Sequence, residues 1–179
     1  MYQNSLLAIG LSLFLMMIYV AFRFRMKLAV GAVVSLVHDV LFTVGAFAIF
    51  GFPFDLTVLA AVLALIGYSL NDTIVIFDRV RENFRKLRKA DAIEIVDISL
   101  TETLRRTIMT VGTVLVVVVA MLWLGGPALR WFSVAMMIGL FAGTYSSIYI
   151  ATSYALMMGL DKEDFIEKPK SELVEETFD

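Results

Sequence analysis

The sequence predicts an all-α membrane protein, a polytopic bundle of five transmembrane helices. Of its 179 residues, 60% are hydrophobic and only 18% are charged, which is far from the composition of a soluble domain. Its apolar residues also fall into five stretches, each long enough for a helix to cross the ~30 Å hydrocarbon core of a bilayer. These predicted helices span residues 6–22, 28–50, 56–77, 108–124 and 131–158.

The connections between the helices predict an orientation in the membrane. Lysine and arginine gather at residues 23–27 and in the long loop 78–107, whereas the two opposite connections hold only Arg130. Because short loops rich in these residues stay in the cytoplasm, we expect the N-terminus outside and the C-terminal tail inside. The outer connections, residues 51–55 and 125–130, are short and rich in glycine and proline, as tight turns are.

The long cytoplasmic loop is predicted to be helical. Val80, Phe84 and Leu87 recur at helical spacing between basic residues, which predicts an amphipathic continuation of the third helix, lying along the membrane surface. After a break near residues 90–91, the pattern from Ser99 to Glu102 is typical of a capping box and would start the fourth helix. The basic belt would contact a partner or, equally well, control topology and bind anionic lipids.

The last part of the chain differs from the membrane domain, residues 1–158. Residues 159–179 contain eight Asp and Glu against three Lys and few apolar side chains, which predicts a solvated acidic tail. The chain has no cysteine and one histidine, so we expect neither disulfides nor a zinc cluster. No enzymatic chemistry, cofactor, metal or nucleic-acid partner is indicated.

Asp72 is the leading candidate for a functional residue, because it lies inside the third apolar stretch. A charged side chain at the centre of a membrane helix costs about 2.5–3.5 kcal/mol on insertion scales, so an acid retained there usually serves an ion, a proton or a partner charge. Asp72 lies roughly 8 Å along the helix axis from the inner end of its stretch. Arg106, at the inner end of the next helix, could extend its side chain to meet the carboxylate. The two residues predict a proton-driven switch or a static ion pair between helices.

The identity of the coupled ion is left open by the neighbours of Asp72. Asn71 points about 100° away from Asp72 and could hydrogen-bond another helix. A carboxylate with Arg106 suits a proton, whereas sodium requires several oxygen ligands. Asn71, Ser69 and Thr73 are close enough in sequence that sodium stays open.

Four further ionisable residues are secondary candidates. His38 and Asp39 fall near the middle of the second helix, where they could relay protons or simply hydrogen-bond to neighbouring helices. Asp78 and Arg79 lie at the predicted inner interface and could equally be solvated. In the last helix, small residues recur at every fourth position and predict close helix packing rather than a ligand site. They are Gly139, Gly143, Ser147 and Ala151.

Seven segments of the sequence resemble the SecF family, in the right order and spacing over about residues 5–158. SecF is the smaller subunit of the SecDF accessory complex of bacterial and archaeal protein export and belongs to the resistance–nodulation–division superfamily. The segments are Gly31-Ala-Val-Val-Ser-Leu-Val-His-Asp-Val40, Asp55-Leu-Thr-Val-Leu-Ala60, Gly67-Tyr-Ser-Leu-Asn-Asp-Thr-Ile-Val75, Phe77-Asp-Arg-Val-Arg-Glu-Asn83, Arg106-Thr107, Gly125-Gly-Pro127 and Gly143-Thr-Tyr-Ser-Ser147.

The resemblance implies a non-enzymatic subunit of the cytoplasmic (inner) membrane. Such a subunit couples the proton motive force to late steps of preprotein movement through the SecYEG channel. In the family, the acid of the Gly-Tyr-Ser-Leu-Asn-Asp motif, here Asp72, and the arginine heading the next helix, here Arg106, are tied to proton passage. The implied partners are SecD, which would supply a further acid, the SecYEG translocon, YajC, the preprotein and membrane lipids.

Family members normally begin with a first transmembrane helix and an extracytoplasmic domain, and neither is expected in this sequence. An outside N-terminus without a preceding helix agrees with that expectation. The sequence is therefore expected to be the transmembrane half of such a protein, whether a truncated form, a split gene product or a fragment.

Two other functions fit parts of the sequence. A proton-coupled transporter of small substrates would also bury an acid, but its membrane helices should be interrupted by glycine or proline. Pro53 and Pro127 lie in predicted loops and Pro169 lies in the tail, which disfavours this function. A purely structural assembly subunit would use the same small residues and basic loops, and it would tolerate the change Asp72→Asn.

Overall fold

A computed structural model describes residues 2–87, 89–161, 164 and 165 of the chain. Regular structure in these residues is helical, and they contain no strand. The helices are α1 (Tyr2–Arg23), α2 (Met26–Phe50), α3 (Leu56–Lys86), α4 (Ala92–Leu124), α5 (Gly126–Tyr145) and α6 (Ala151–Met157), with a π-helical turn (Ser146–Ile150) between α5 and α6. These last three segments follow one another without a break and form a single long helical unit.

Four of these helical units are long and apolar enough to cross a membrane. They are α2, α3, α4 and the unit Gly126–Met157, and α1 adds a shorter apolar helix. The all-α membrane bundle of five helices expected from the sequence is thus confirmed. The α3 and α5 helices form the centre of the bundle, since both contact α2 and α4.

The outer ends of the helices are built from local turn chemistry. Gly51 ends α2 in the left-handed region, with a φ of 64°, and Phe52 N–H donates to the Phe47 carbonyl at 3.0 Å. Asp55 then caps α3, because its carboxylate accepts from the backbone N–H groups of Thr57 and Val58, each at 2.9 Å. The hydrogen bond from the Thr57 hydroxyl, followed by that from Val58 N–H, holds the pKa of Asp55 below its usual value. A tight outer turn between α2 and α3 results.

At the opposite end of the bundle, which the sequence predicts to face the cytoplasm and which is called the inner end below, α3 continues beyond the predicted span to Lys86, as its apolar spacing indicates. Val80 and Phe84 are almost fully buried, in the same apolar cluster as Ile95 and Val96 of α4. The prediction that this segment lies along the membrane surface is therefore wrong. Its apolar face packs on protein, because α4 also extends inward and covers it.

The predicted capping box at Ser99 is also wrong. The α4 helix already begins at Ala92, and Ser99 lies two turns inside it. Ser99 Oγ donates to the Ile95 carbonyl at 2.6 Å and accepts from Asn83 Nδ2 at 3.0 Å. The same amide of Asn83 donates to Glu102 at 2.8 Å. The Ser-x-x-Glu pattern thus supplies hydrogen bonds to α3 rather than to a helix start.

The start of the acidic tail packs against the bundle, contrary to the expectation that it is solvated from residue 159. Leu160 and Phe165 are only 3% and 5% exposed, and the Phe165 ring stacks on Phe84 with 4.8 Å between centroids. Lys27 Nζ donates to the Gly159 carbonyl at 2.8 Å and to Asp164 at 2.7 Å. The burial of Leu160 and Phe165 and the hydrogen bonds of Lys27 therefore hold the start of the tail against the inner end of the bundle. Residues 166–179 lie outside the part of the chain that the structure describes.

Close helix approach depends on two glycines whose missing side chains leave room for a neighbour. A Cβ at Gly31 of α2 would lie 2.4 Å from the carbonyl oxygen of Ala151 in α6. A Cβ at Gly139 of α5 would lie 2.2 Å from a methyl group of Leu65 in α3. Since real contacts are essentially never so short, a side chain at Gly31 would force α2 and α6 apart, whereas one at Gly139 would require the Leu65 side chain to move.

We expect Gly31→Ala to destabilise the bundle by about 1–3 kcal/mol, because the new methyl group meets backbone that cannot rotate away. The matched control is Gly45→Ala in the same helix, where a Cβ meets nothing within 4 Å. Thermal unfolding of the detergent-solubilised protein measures both. Equal stability of the two variants would contradict the close α2–α6 packing.

Candidate functional site

The interior of the bundle contains a group of buried polar side chains where α2, α3, α4 and the π-helical turn meet. All of them are at most 8% exposed, and they hydrogen-bond between helices. We call this group the polar layer. It consists of Ser35, Asp39, Ser69, Asp72, Thr107, Ser146 and Ser147.

Asp72, the leading candidate from the sequence, lies in the polar layer and is 8% exposed. Its Oδ1 atom accepts from Thr107 Oγ1 of α4 at 2.8 Å, and its Oδ2 atom accepts from Ser147 Oγ of the π-helical turn at 3.1 Å. Both partners are neutral, and no cation of the described residues forms a salt bridge with Asp72. The carboxyl group therefore joins three helices without a fixed counter-ion.

Asp39 is the second acid of the polar layer and is 1% exposed. Its Oδ2 atom accepts from Ser69 Oγ of α3, and His38 Nδ1 lies 3.2 Å from its Oδ1 atom. The His38 ring is one-third exposed and stacks on Phe42. His38 and Asp39 thus contact each other, and Asp39 links α2 to α3.

The π-helical turn positions two consecutive serines toward different helices. Ser146 Oγ accepts from Ser35 Oγ of α2 at 2.9 Å, while Ser147 contacts Asp72 of α3. Residues next to each other point about 100° apart on a helix, so one turn serves both neighbours. A π-helical turn within an α-helix is frequently found at functional sites. Its presence next to a buried acid supports the polar layer as the site.

Arg106 and Asn71 lie beside the polar layer without joining it. Arg106 precedes Thr107 on α4, its side chain is exposed, and it forms no salt bridge to Asp72. The expected direct contact is thus not made in this arrangement, although Arg106 is the immediate neighbour of Thr107, which donates to the carboxylate. Asn71 is exposed on the outer face of α3, about 100° from Asp72 as predicted.

Asp78 and Arg79, the candidates at the inner interface, form salt bridges. Arg23 Nη2 contacts both carboxylate oxygens of Asp78 at 2.9 Å. Arg79 bonds Glu102 of α4 through Nε and Glu82 through Nη1, both at 2.6 Å. Asp78 and Arg79 follow Asp72 by six and seven residues, and their pairs with Arg23 and Glu102 join α1 to α3 and α3 to α4. They connect neighbouring helices, as structural salt bridges do.

The row of small residues, which begins in α5 and continues into the π-helical turn, is buried and contacts the polar layer. Gly143 lies where an added Cβ would be 3.3 Å from Ser69 Oγ and 3.4 Å from Asp39 Oδ2. Gly139 contacts Leu65, and Ser147 is fully buried against Asp72. The row therefore allows close helix packing, as predicted, and in addition provides a hydrogen-bond donor.

Sequence reasoning missed the partners of the two acids. Thr107, the donor to Asp72 Oδ1, had no assigned role, and Ser69, the donor to Asp39, was considered only as a ligand of sodium. The hydrogen bond between Ser35 and Ser146, which involves neither acid, was not predicted either. A usable signal was present, since hydroxyl residues recur at every fourth position of α4, at Ser99, Thr103 and Thr107. All three are buried. The described residues hold no cluster of three or more acids or histidines that could bind a metal.

These features define a class of protein, namely a multi-pass helical membrane protein with two acids in its interior. Asp72 is bonded by hydroxyl groups, and Asp39 is bonded by a hydroxyl group and contacts the adjacent His38. The chain matches the family described as "Protein export membrane protein SecD/SecF, C-terminal" over residues 1–161. It is 53% identical over 160 residues to "Protein translocase subunit SecF" from Pseudomonas aeruginosa, covering 89% of this chain and 52% of that protein. The counterpart from Vibrio alginolyticus is 50% identical over 157 residues, covering 88% and 50%. The chain therefore belongs to the SecD/SecF family of protein-export membrane proteins, and its similarity is to the C-terminal membrane part of SecF.

Solved structures support the same relationship. The chain superimposes with a TM-score of 0.84 and 40% identity on "SecDF, a translocon-associated membrane protein" from Thermus thermophilus, covering 88% of this chain and 22% of that one. A SecDF structure in a "super-membrane-facing form" gives a TM-score of 0.78 and 42% identity, covering 82% of this chain and 20% of that one. The chain spans about half the length of the curated relatives it matches.

We expect Ser69→Ala to lower the free energy of unfolding by about 1–2 kcal/mol, because Asp39 then loses the donor to its Oδ2 atom inside the membrane. Ser133→Ala is the matched control. Ser133 is equally buried but bonds only the Leu129 carbonyl of its own helix, at 2.8 Å. Unfolding in detergent compares the two variants. A loss as large for Ser133 as for Ser69 would show that the hydroxyl of Ser69 does not stabilise Asp39.

Proposed function

We propose that this chain is the membrane-embedded part of a SecF-type subunit of the protein-export machinery in the inner membrane. In this proposal the subunit couples the proton motive force to preprotein movement. A SecD-type subunit is the direct partner, and the SecYEG translocon, a YajC-type subunit and the preprotein are further partners. The tail and the two basic inner segments face the cytoplasm, and the N-terminus lies outside.

The observation that carries the proposal is the environment of Asp72. A carboxyl group enclosed by four helices and bonded only by hydroxyl groups has no permanent charge partner. Burial penalises its ionised form, while the two hydroxyl donors stabilise it. An acid balanced in this way can take up and release a proton, whereas an acid paired with arginine stays ionised.

Protonation of Asp72 would change its hydrogen bonds to two other helices. The ionised group accepts from both Thr107 and Ser147, but the protonated group also carries a donor hydrogen. One hydroxyl must then reorient. Ser147 has an alternative acceptor within reach, the Thr144 carbonyl at 3.2 Å. A proton on Asp72 would thus reverse the hydrogen bond with the π-helical turn, so that the carboxyl donates to Ser147 Oγ while Ser147 donates to the Thr144 carbonyl.

Arg106 and Asn71 extend the proposed site toward the surface of the chain. Arg106 is exposed and free of salt bridges to described residues, so its guanidinium can move toward the carboxylate when Asp72 is ionised. Asn71 is exposed beside Asp72, where a partner helix could contact it. A SecD-type partner would cover this face and contribute a further acid.

The driving force is large enough for such a switch. One elementary charge moving through 100 mV releases about 2.3 kcal/mol, which shifts a two-state equilibrium roughly fiftyfold. A sodium ion is the alternative, since three oxygen-bearing groups converge at Asp72 with Thr107 and Ser147. A purely structural role is the other alternative, in which Asp72 only joins helices.

The test is ion flux and potential-driven export in proteoliposomes that hold the full chain with its SecD-type partner. We expect Asp72→Asn to reduce both to background, because an amide side chain does not ionise and so cannot cycle between a protonated and a charged form. Asp97→Asn is the matched control, since Asp97 is exposed on α4 and lies outside the polar layer. We expect that variant to retain flux.

Three results would argue against the proposal or refine it. Unchanged flux in Asp72→Asn, with normal assembly, would assign Asp72 a structural role. Flux that requires sodium at constant pH would replace the proton by sodium. Loss of flux in Asp97→Asn as well would show that neutralising any acid disrupts the complex, and Asp72 would then have no special role.

A further inference from the structure

A cavity lies at the inner end of the bundle, away from the polar layer. Its volume is about 250 Å³, and it opens between the end of α1, the start of α2 and the inner part of α3. Phe165 of the packed tail segment forms another wall. Four of the lining residues are arginines, namely Arg23, Arg25, Arg81 and Arg85.

Two of the charged groups around the cavity are already neutralised. Arg23 is bonded to both carboxylate oxygens of Asp78, and Asp164, the acid in the lining, is bonded to Lys27. The remaining charge of the lining therefore comes from the other three arginines. The cavity carries a local excess of positive charge.

The guanidinium groups of Arg25, Arg81 and Arg85 form no salt bridge and no hydrogen bond with any residue that the structure describes. Arg81 and Arg85 are one helical turn apart, so their side chains share a face of α3. Arg25 approaches the same space from the junction of α1 and α2. Arg25 attracts the nearby Asp164, which is already bonded to Lys27, so that all three guanidinium groups still lack a salt bridge. Three such groups in one concave site are arranged for a multiply charged oxygen ligand.

The rim of the cavity is apolar and lies at the membrane boundary. Phe22 lines the cavity and is 90% exposed at the inner end of α1, directly after an apolar helix. Leu28 and Phe24 form the buried floor. A ligand here would meet guanidinium groups at one side and a hydrocarbon surface at the other.

We propose that this cavity binds the phosphate of an anionic phospholipid headgroup from the inner leaflet. Arg81 and Arg85 from α3, with Arg25 opposite, would hold the phosphate oxygens, and the acyl chains would run along Phe22 and α1. Basic pockets between membrane helices on the cytoplasmic side are a known arrangement for such headgroups. A bound lipid would join α1, α2 and α3, and this binding site does not depend on ion coupling at Asp72.

Lipid binding to the full chain in an uncharged detergent tests the proposal. Short-chain phosphatidylglycerol, phosphatidylcholine and inorganic phosphate are titrated separately, and the shift of the unfolding temperature gives each apparent Kd. We expect phosphatidylglycerol to bind, and Arg81→Gln with Arg85→Gln to weaken it by at least about tenfold, since two charge-assisted bonds are lost. Native mass spectrometry counts the lipids that remain bound.

The matched control is Lys89→Gln with Arg105→Gln, which removes the same charge from exposed positions outside the cavity. We expect its Kd to stay within about twofold of the original, because general attraction to anionic lipid is worth little at single exposed sites. Equal weakening in both double variants would overturn the proposal in favour of diffuse attraction. Equal binding of phosphatidylcholine, or of inorganic phosphate alone, would also overturn the assignment to an anionic lipid.

A second variant covers the case in which the α3 double variant fails to fold. Arg25→Gln changes a residue on a different element, and its side chain makes no capping hydrogen bond to α2. We expect it to weaken phosphatidylglycerol binding while leaving the unfolding temperature without lipid unchanged. An unchanged Kd in Arg25→Gln would contradict a site that uses all three arginines.

Discussion

The bilayer core contains no water, and this constraint explains how the polar side chains of the bundle are arranged. Each buried carboxyl or hydroxyl group must find its hydrogen-bond partner within the protein. Asp39 takes a donor from α3, and Asp72 takes donors from α4 and the π-helical turn. These bonds fix the rotation of the helices about their axes, because turning α3 by one residue would move Asp72 about 100° away from both donors. The polar layer therefore specifies which faces of four helices meet, beyond what apolar packing alone requires.

Short polar side chains can bond between helices only where the backbones come close. Gly143 provides this closeness at Asp39 and Ser69, where a Cβ would already be at 3.3–3.4 Å from their oxygens. Gly31 does the same about two turns away along α2, where the Ala151 carbonyl occupies the space of a side chain. In a membrane, where lipid tails are as apolar as leucine, such close contact contributes a large share of the attraction between helices. The small residues and the polar layer thus depend on each other.

The sequence predicted the helices well and their contacts poorly, for physical reasons. The length of each apolar stretch is set by the membrane, so four of the spans and the extra helix could be placed from composition. The start of α4 could not, because Ala92 to Ser99 is held by contacts with Asn83 and Phe84 of another helix. Asp72 was identified from the cost of burying it, but an arginine is long enough to reach many positions, so its pairing could not be inferred. The π-helical turn cannot be predicted from the residue types, since Ser146 and Ser147 also occur in α-helices.

The contrast between the inner end of the bundle and its interior supports a functional role for the interior. At the inner end, acids meet full positive charges, as in Asp78 with Arg23 and Glu102 with Arg79. The side chains of these pairs are 34–42% exposed, so water solvates both charges and each pair contributes little to stability. Inside, Asp72 meets hydroxyl groups that can either donate or accept, and a hydroxyl rotates about a single bond. Both protonation states of the acid can therefore be fully hydrogen-bonded with little movement of the backbone. We therefore propose that the hydroxyl-bonded acid is the part of α3 that changes its protonation state, while the packed helices around it stay in place.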